Sequence, residues 1–289
     1  MKVKRLANNP IISPNRMNGV PGDNINGPSL IRVPDWAPNR MGKYYLYFAH
    51  HQGTSIRLAY ADELGGPWTV YTPGALQLEQ TVCRKHIASP DVFVNDDQRR
   101  FRMYFHGPAM EKGQHSLIAY STDGIHFVAE QQSLGPPYFR VFEHDGASYA
   151  VARGGETGLL LRSPDGVAPF EVGPGIMPRM RHAAVRKTAR DEVEVFYSRI
   201  GDNPEHIVMS LMKLDGDWRQ WRGSDAVSIL LPEERWEGAD EPAVPSKGGL
   251  SRVRVRQLRD PGLFEEDGRW YLLYSVAGEQ GIAIAEIEA

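Results

Sequence analysis

Short apolar segments rich in aromatic and β-branched residues recur five times along the chain. Each follows a polar turn and precedes a second apolar segment; the pairs are 44–48 with 56–60, 101–105 with 116–121, 148–152 with 158–162, 193–197 with 206–212, and 270–274 with 281–287. Such residues bounded by Gly and Asp are typical of β-hairpins. A sustained 3.6-residue apolar period is almost absent, and the 21 Pro and 29 Gly are too frequent for long helices. The pattern predicts an all-β protein.

The spacing of these hairpins predicts the architecture. Successive segments begin 57, 47, 45 and 77 residues apart, which leaves room for about four strands per repeat, as in a propeller blade. We predict a single-domain, five-bladed β-propeller over 1–289, with blades at roughly 20–75, 80–130, 133–172, 178–225 and 231–289. The fifth repeat ends after its third strand, so we expect a strand within 2–12 to close the last blade. The alternative is a free N-terminal tail.

Composition and charge exclude several classes of function. Lys and Arg total 33 against 36 Asp and Glu, so no basic field attracts nucleic acid or an anionic membrane. No apolar run approaches the roughly 18 residues that span a bilayer. The single Cys83 excludes an intramolecular disulfide and a cysteine-rich zinc site. Residues 1–10 lead into Asn and Pro rather than an apolar signal core, so a cytoplasmic protein is the default; a secreted or periplasmic one would look the same once its signal was removed.

The innermost strands of a propeller meet at its axis, so their residues converge on the central channel. The five innermost segments are 26–29, 89–92, 137–140, 181–184 and 259–262, and all carry polar or charged residues among apolar ones. Buried ionisable groups are costly unless they are paired or functional. The channel is therefore the candidate site.

Two of these segments carry a family resemblance. The string from Ala88 to Phe93 resembles the second-blade motif of glycoside hydrolase family 43 and its relatives. A blade start of the same superfamily is similar to Arg259-Asp260-Pro261 followed by the string from Asp267 to Ser275. The strand and turn at 59–68 also resemble that superfamily. The resemblance covers the blade pattern along most of the chain. It implies a five-bladed glycosidase-like propeller.

The resemblance also implies a catalytic set of two Asp and one Glu on the channel. On the matching positions we expect Asp91 and Asp260 as the general base and its pKa-setting partner, and Glu241, which precedes a Pro, as the general acid. Family members invert the anomeric centre, which needs carboxyl groups about 6.5–9.5 Å apart. Each residue also has a structural alternative. Asp91 would accept backbone N–H bonds at a strand end, Asp260 would form an ion pair with Arg259, and Glu241 would belong to an acidic solvated loop.

This chain departs from the family pattern in two places. Gly27 stands where the base Asp of an Asp-Pro pair is expected, with Asn26 before it, and segment 137–140 has no Asp-Pro at all. The long Gly- and Pro-rich stretch before the last blade is expected to form a lid or a substrate wall. Within it, Asp240 is expected to raise the pKa of its neighbour, and Trp236 to stack on a sugar or to close the loop on the rim.

Histidine and arginine residues near the blade motifs are the remaining candidates. We expect His86 and His182 to act as acid–base groups or to hold sugar hydroxyls; further candidate substrate contacts are His51, His106, Arg140, Arg181 and Asn26. The arginines suit a carboxylated or sulfated sugar, or else plain pairing with channel acids. No cofactor is required, although histidines that meet above the channel leave room for a structural divalent ion.

The sequence therefore predicts a glycoside hydrolase that acts on an oligosaccharide or a glycan end, in carbohydrate metabolism or polysaccharide degradation. Two alternatives stay open. A polysaccharide lyase or another sugar-active enzyme would use the His and Arg groups, and a carbohydrate-binding propeller would have lost catalysis. The expected partner is the oligosaccharide, with neither nucleic acid nor membrane.

Overall fold

The computed structural model describes residues 1–17, 22–109 and 113–288. Within these ranges the regular structure is twenty β-strands and four short 3₁₀ turns. The strands form five sheets of four strands each. Every pairing inside these sheets is antiparallel. No helix in the described ranges is long and apolar enough to cross a membrane.

The strands follow one another around the ring. The chain starts with β1 (Lys2–Arg5). Blade 1 contains β2 (Asn26–Arg32), β3 (Tyr44–Ala49), β4 (Ser55–Ala61) and β5 (Thr69–Gln77). Blade 2 contains β6 (Ala88–Asn95), β7 (Arg100–Gly107), β8 (His115–Ser121) and β9 (Val128–Ala129). Blade 3 contains β10 (Arg140–His144), β11 (Ala147–Gly154), β12 (Thr157–Ser163) and β13 (Glu171–Pro178). Blade 4 contains β14 (Met180–Ala189), β15 (Glu192–Arg199), β16 (Ile207–Lys213) and β17 (Val227–Leu230), and blade 5 contains β18 (Arg259–Glu266), β19 (Arg269–Ser275) and β20 (Ile282–Glu288).

The predicted five-bladed β-propeller is confirmed, and the blade limits differ at the outer strands. Blade 3 runs to Pro178 rather than 172, and blade 4 runs to Leu230 rather than 225. These outer strands, β13 and β17, are largely exposed, so they carry little apolar pattern for sequence reasoning to detect. Residues 20, 21, 110–112 and 289 of the predicted blades lie outside the described residues.

The predicted closure of the last blade is also confirmed. Strand β1 pairs with β20, from Lys2 opposite Glu288 to Arg5 opposite Ala285. The backbone N–H of Leu6 continues the pairing to the Ile284 carbonyl oxygen at 3.1 Å. The N-terminal strand therefore supplies the fourth strand of blade 5 and covers the edge that β20 would otherwise expose.

Tyrosines of the second strands connect neighbouring blades. The Tyr47 hydroxyl of β3 donates to the Gly124 carbonyl oxygen in blade 2 at 2.6 Å. The Tyr104 hydroxyl of β7 donates to the Gly166 carbonyl oxygen in blade 3 at 2.8 Å. Both glycines have positive φ and lie in Asp-Gly turns, where glycine has no steric penalty. The recurring aromatic strands and Asp-Gly turns of the sequence are thus halves of one contact between blades.

All five innermost strands share one irregularity at their beginning. Between two registered pairs the inner strand holds two residues opposite one of the second strand, as in β18, where Asp260 and Pro261 lie opposite Tyr274 between the pairs Arg259–Ser275 and Gly262–Leu273. The same step occurs in β2, β6 and β14, and the backbone bond from Arg153 to the Pro137 carbonyl oxygen places blade 3 in the same register. The first of the two residues in each bulge is Gly27, Ser89, Tyr138, Arg181 or Asp260, and four of the five have positive φ. These bulges define a common depth at one end of the channel, which we call the mouth.

Candidate active site at the channel mouth

Asp260 is the one carboxylate among the five residues at mouth depth. Its side chain is almost fully buried, and the Ser275 hydroxyl donates to Oδ2 at 3.1 Å. Oδ1 is in direct contact with Nδ1 of His182, which follows Arg181 as the second residue of the bulge in blade 4. A carboxylate against one imidazole nitrogen fixes the orientation of the ring and leaves the other nitrogen to act. Asp260 and His182 therefore form a dyad at the axis.

A stack of three rings continues from this dyad. The Tyr138 ring lies between the rings of His182 and His106, with centroid separations of 4.3 and 4.0 Å. The His86 ring packs edge-on against His106 at 6.3 Å. His182 Nε2 and His106 Nδ1 are buried and have no hydrogen-bond partner among the described residues. Unpaired buried polar atoms are costly, so two of them at one channel end indicate a ligand site.

The two buried histidines are held in the neutral form. Desolvation by burial lowers the pKa of His182 well below its usual value, and the positive charges of Arg181 and Arg153 add to the effect. Burial lowers the pKa of His106 in the same way, with His86 and His51 adding to it. At neutral pH both rings are therefore in the neutral form, the form that can accept a proton.

A buried network of alternating charges supports the dyad from behind. Arg181 binds Glu205 through Nε at 2.7 Å and Nη2 at 3.1 Å, and Arg259 lies 3.5 Å from the same carboxylate. Arg259 Nη1 also reaches Glu279 at 2.9 Å. Although burial alone would raise it, the pKa of Glu279 is held at about 2 by His51, Arg259 and Asn24. The carboxylates of Glu205 and Glu279 are thus committed to structural pairs.

The ring of mouth residues comes from equivalent connections. In an antiparallel blade the inner strand begins where the second strand ends, so both lie at the mouth. His51, Glu205 and Glu279 lie in the connections between the second and third strands of blades 1, 4 and 5. His106 and Arg153 lie near the ends of the second strands of blades 2 and 3. The arrangement explains why five distant sequence positions meet.

The stretch between β17 and β18 forms part of the wall. Its Gly249 carbonyl oxygen accepts hydrogen bonds from Arg181 at 3.1 Å and from Arg259 at 3.4 Å. Its Ser251 carbonyl oxygen accepts from the Asn24 amide at 3.3 Å. The long insertion that the sequence singled out therefore contacts the arginines and the amide beside the site.

Several predicted residues meet at the mouth. Asp260 contacts His182, the Tyr138 ring separates His182 from His106, and His86 packs against His106. Arg181 and His51 belong to the supporting network rather than to the open surface. Asn26 is also buried there, and its amide donates to Asn24 Oδ1 at 2.7 Å.

The predicted trio of Asp91, Asp260 and Glu241 does not form one site. Asp91 is registered opposite Tyr104, which places it two residues deeper than Ser89, the bulge residue of its own strand. The reason is its position after the Pro, whereas Asp260 precedes its Pro. Asp91 accepts a hydrogen bond from the Val141 backbone at 3.3 Å. Arg140 likewise occupies the deeper level and not the mouth.

The acid motif in the insertion is the second correction. Glu241 lies 3.5 Å from Arg254 on a partly exposed loop. Asp240 is exposed, and its pKa is lowered rather than raised, because slight desolvation is outweighed by hydrogen bonds from the backbone, Arg235 and Arg254. Trp236 packs against the apolar cluster between blades 4 and 5. The raised pKa expected of neighbouring carboxylates is therefore not found at Asp240, and Asp240 and Glu241 fit the alternative of an acidic solvated loop.

Sequence reasoning missed Tyr138, Glu205, Glu279, Asn24 and Arg153. Tyr138 follows two prolines in an inner segment, and its position one residue after the start of that segment is the signal that it occupies the bulge. Glu205, Glu279 and Asn24 lie in connections that have no motif, and Arg153 lies at the end of β11. The described residues contain no group of three or more His, Cys, Asp and Glu placed to hold a metal ion.

Comparison with solved structures defines the class of protein. A glycoside hydrolase-like protein from Bacteroides ovatus superposes with a TM-score of 0.70 at 14% identity, covering 100% of this chain and 97% of that one. A family 43 β-xylosidase/α-arabinofuranosidase from a compost metagenome, in complex with xylotriose, gives 0.62 at 14% identity, covering 92% and 91%. A member of glycoside hydrolase family 130, a family of mannoside phosphorylases and hydrolases, gives 0.67 at 12% identity, covering 99% and 93%. The chain has the five-bladed glycoside hydrolase fold.

The particular family follows from a sequence relative. The chain is 37% identical over 327 aligned positions to uncharacterized protein R118 of Acanthamoeba polyphaga mimivirus, covering 99% of this chain and 90% of the viral one. It belongs to the family of that protein. No protein-family model matches the chain.

Proposed function

We propose that this protein hydrolyses a glycosidic bond at the channel mouth, with the Asp260–His182 dyad as its proton-transfer centre. The observation that carries the proposal is the contact of the buried Asp260 carboxylate with His182, whose Nε2 has no partner among the described residues. The glycosidase-like fold supports the choice of a sugar substrate.

In this proposal His182 Nε2 takes the proton from a water that attacks the anomeric carbon. Asp260 holds the ring by Nδ1 and stabilises the imidazolium that forms. The bond from the anomeric carbon to the leaving oxygen breaks, that oxygen takes a proton from water at the open mouth, and the imidazolium later returns its proton to solvent. One water is consumed, and no second free carboxylate is required.

The substrate proposed is the end of an oligosaccharide rather than the middle of a long chain. The inserted stretch before β18 bounds the mouth beside blades 4 and 5 and reaches blade 1, where Arg252 Nη2 lies 3.3 Å from Gln52 Oε1. Arg153 lies 5.9 Å from the centre of the Tyr138 ring. A wall on one side favours binding of a terminal residue.

The test is turnover of a panel of aryl glycosides and oligosaccharides by wild type, Asp260→Asn, His182→Asn and Glu241→Gln. Wild type should release a sugar, and the first two variants should lose about 10²–10⁴-fold in kcat/KM. Glu241→Gln is the matched control, because that carboxylate lies on the surface loop, and it should keep wild-type activity. Equal losses in Glu241→Gln and Asp260→Asn would refute the assignment.

β-Elimination is the second candidate, and the ring stack favours it. Burial raises the pKa of Tyr138, and the positive charge of the neighbouring Arg153 opposes that rise. A lyase would use His182 to remove the C5 proton of a uronate and Tyr138 to protonate the leaving oxygen, with Arg153 against the uronate carboxylate. The product would absorb in the ultraviolet. If polyuronates gave that ultraviolet signal, the proposed reaction would be elimination and not hydrolysis.

A binding protein without catalysis is the remaining outcome of the same panel. Saturable binding of one glycan by wild type, with no turnover of any substrate, would contradict both catalytic proposals. In that case Asp260→Asn should weaken the binding, because the dyad would then serve only to hold sugar hydroxyls.

A further inference from the structure

A second cavity lies at the end of the channel opposite the mouth. It has a volume of about 590 Å³ and is lined by residues of all five inner strands. This volume is within the range of small-molecule sites. Asp260, His182 and Tyr138 are not among its lining residues. The cavity is therefore distinct from the proposed active site.

A constriction lies between the two ends. A Cβ added to Gly262 would lie 2.4 Å from the Pro28 carbonyl oxygen, and one added to Gly27 would lie 3.2 Å from the Ser89 Cα. Strands β18, β2 and β6 thus approach one another more closely than side chains would allow. The second residue of each bulge is Pro28, Pro90, Phe139, His182 or Pro261. At this level the His182 ring contacts Asp260 on the mouth side, and Pro28 lines the cavity on the other side.

Two opposite charges stand at the inner end of this cavity. Asp91 is half-buried, and burial raises its pKa, partly offset by Arg140. Arg140 is buried, and its Nη1 donates to the carbonyl oxygen of Phe139 at 2.9 Å. The two groups interact electrostatically without a close ion pair among the contacts of the described residues. Carboxylate acceptor sites and guanidinium donors are left to face the cavity.

The charges at the outer rim are already engaged. Arg32 binds Glu266 at 2.9 Å, the Glu265 carboxylate accepts the Gly268 N–H at 2.7 Å, and Asp96 accepts the Trp36 indole N–H at 2.7 Å. The hydrogen-bonding groups left for a ligand are therefore those of Asp91 and Arg140. Because that pair is neutral overall, a net anion or cation gains little there.

We propose that this cavity binds a neutral, hydroxyl-rich small molecule the size of a monosaccharide. One hydroxyl donates to the Asp91 carboxylate and a neighbouring one accepts from the Arg140 guanidinium. The carbon face of the ligand packs on the apolar wall, which includes Pro28, Val92 and Ala184. This site does not depend on the activity proposed for the mouth.

The experiment is calorimetric titration with D-xylose, D-mannose, D-glucose and D-galactose, with D-glucuronate as the anionic probe. Wild type should bind at least one neutral sugar. Asp91→Asn, which keeps the shape of the side chain, should bind it at least tenfold more weakly, and Ala184→Leu should abolish binding by filling the cavity. Asp260→Asn and His182→Asn should keep the affinity, which separates this site from the mouth. Thermal denaturation checks that each variant is folded.

Three outcomes overturn the proposal. One is no binding of any neutral sugar by folded wild type at millimolar concentration. Another is binding that Asp260→Asn removes and Asp91→Asn preserves, which would place the ligand at the mouth. The third is selective binding of D-glucuronate, which would make the ligand an anion held by Arg140.

Discussion

Replacing Arg5 by Met tests how the propeller is closed. Arg5 of β1 reaches Glu237 through Nε at 2.8 Å and Nη2 at 2.9 Å, and Nη2 also donates to the Leu231 carbonyl oxygen at 2.8 Å. The Glu237 side chain is fully buried, with 0% of its surface exposed. Arg5→Met keeps most of the side-chain volume and leaves this carboxylate without its cation.

The expected loss of stability is about 3 kcal/mol, the lower end of the range for breaking a buried ion pair. The lower end applies because Glu237 keeps hydrogen bonds from the Tyr274 hydroxyl at 3.0 Å and from the backbone N–H of Glu233 at 2.9 Å and Glu234 at 3.0 Å. In a chain of this size such a loss lowers Tm by about 6 °C. Calorimetry and urea denaturation measure both quantities.

The matched control is Arg269→Met in the same blade. Arg269 pairs with Glu286 at 2.7 Å, but 59% of the arginine side chain is exposed. Exposed pairs contribute less than about 1 kcal/mol, so this variant should lower Tm by under about 2 °C. Adding Glu237→Gln to Arg5→Met should recover part of the loss, because the stranded charge is removed. Equal effects of Arg5→Met and Arg269→Met would refute the reasoning.

Two further predictions concern the channel. Because burial lowers the pKa of His106 and His182 well below the usual value, the unfolded chain takes up protons below pH ~6.5 that the folded chain does not. The free energy of unfolding should therefore fall by about 1 kcal/mol for each histidine between pH 7 and 5.5, measured by urea denaturation, and a flat profile would contradict it. Gly262→Ala should cost about 2 kcal/mol or more, because its Cβ would meet the Pro28 carbonyl oxygen at 2.4 Å. Gly248→Ala, with open space around it, should be close to neutral in the same denaturation assay.

The fold was predictable because each blade repeats the same physical problem. The second strand of each blade is buried between neighbouring blades, so its residues must be apolar and aromatic. This requirement recurs at blade spacing in the sequence. Strand β1 could be inferred from the missing fourth strand of blade 5. The limits of β13 and β17 could not, since exposed outer strands do not constrain the apolar pattern.

The site was only partly predictable, and register explains the difference. Asp260 precedes its Pro and Asp91 follows its Pro, so the two carboxylates lie at different depths although both flank a Pro of an inner strand. Aligning the inner segments on their prolines would have paired Asp260 with Ser89 and Gly27. The partners of Glu241 and Glu279 are set by loops whose long-range contacts have no local pattern in the sequence.

The central claim is that Asp260 and His182 act as one unit. The most direct test is a double-mutant cycle in kcat/KM on whichever panel substrate wild type turns over, with Asp260→Asn, His182→Asn and the double variant. Residues that work as a unit are strongly non-additive, so the double variant should be no slower than the worse single variant by more than about threefold. Independent losses that multiply in the double variant would contradict the account.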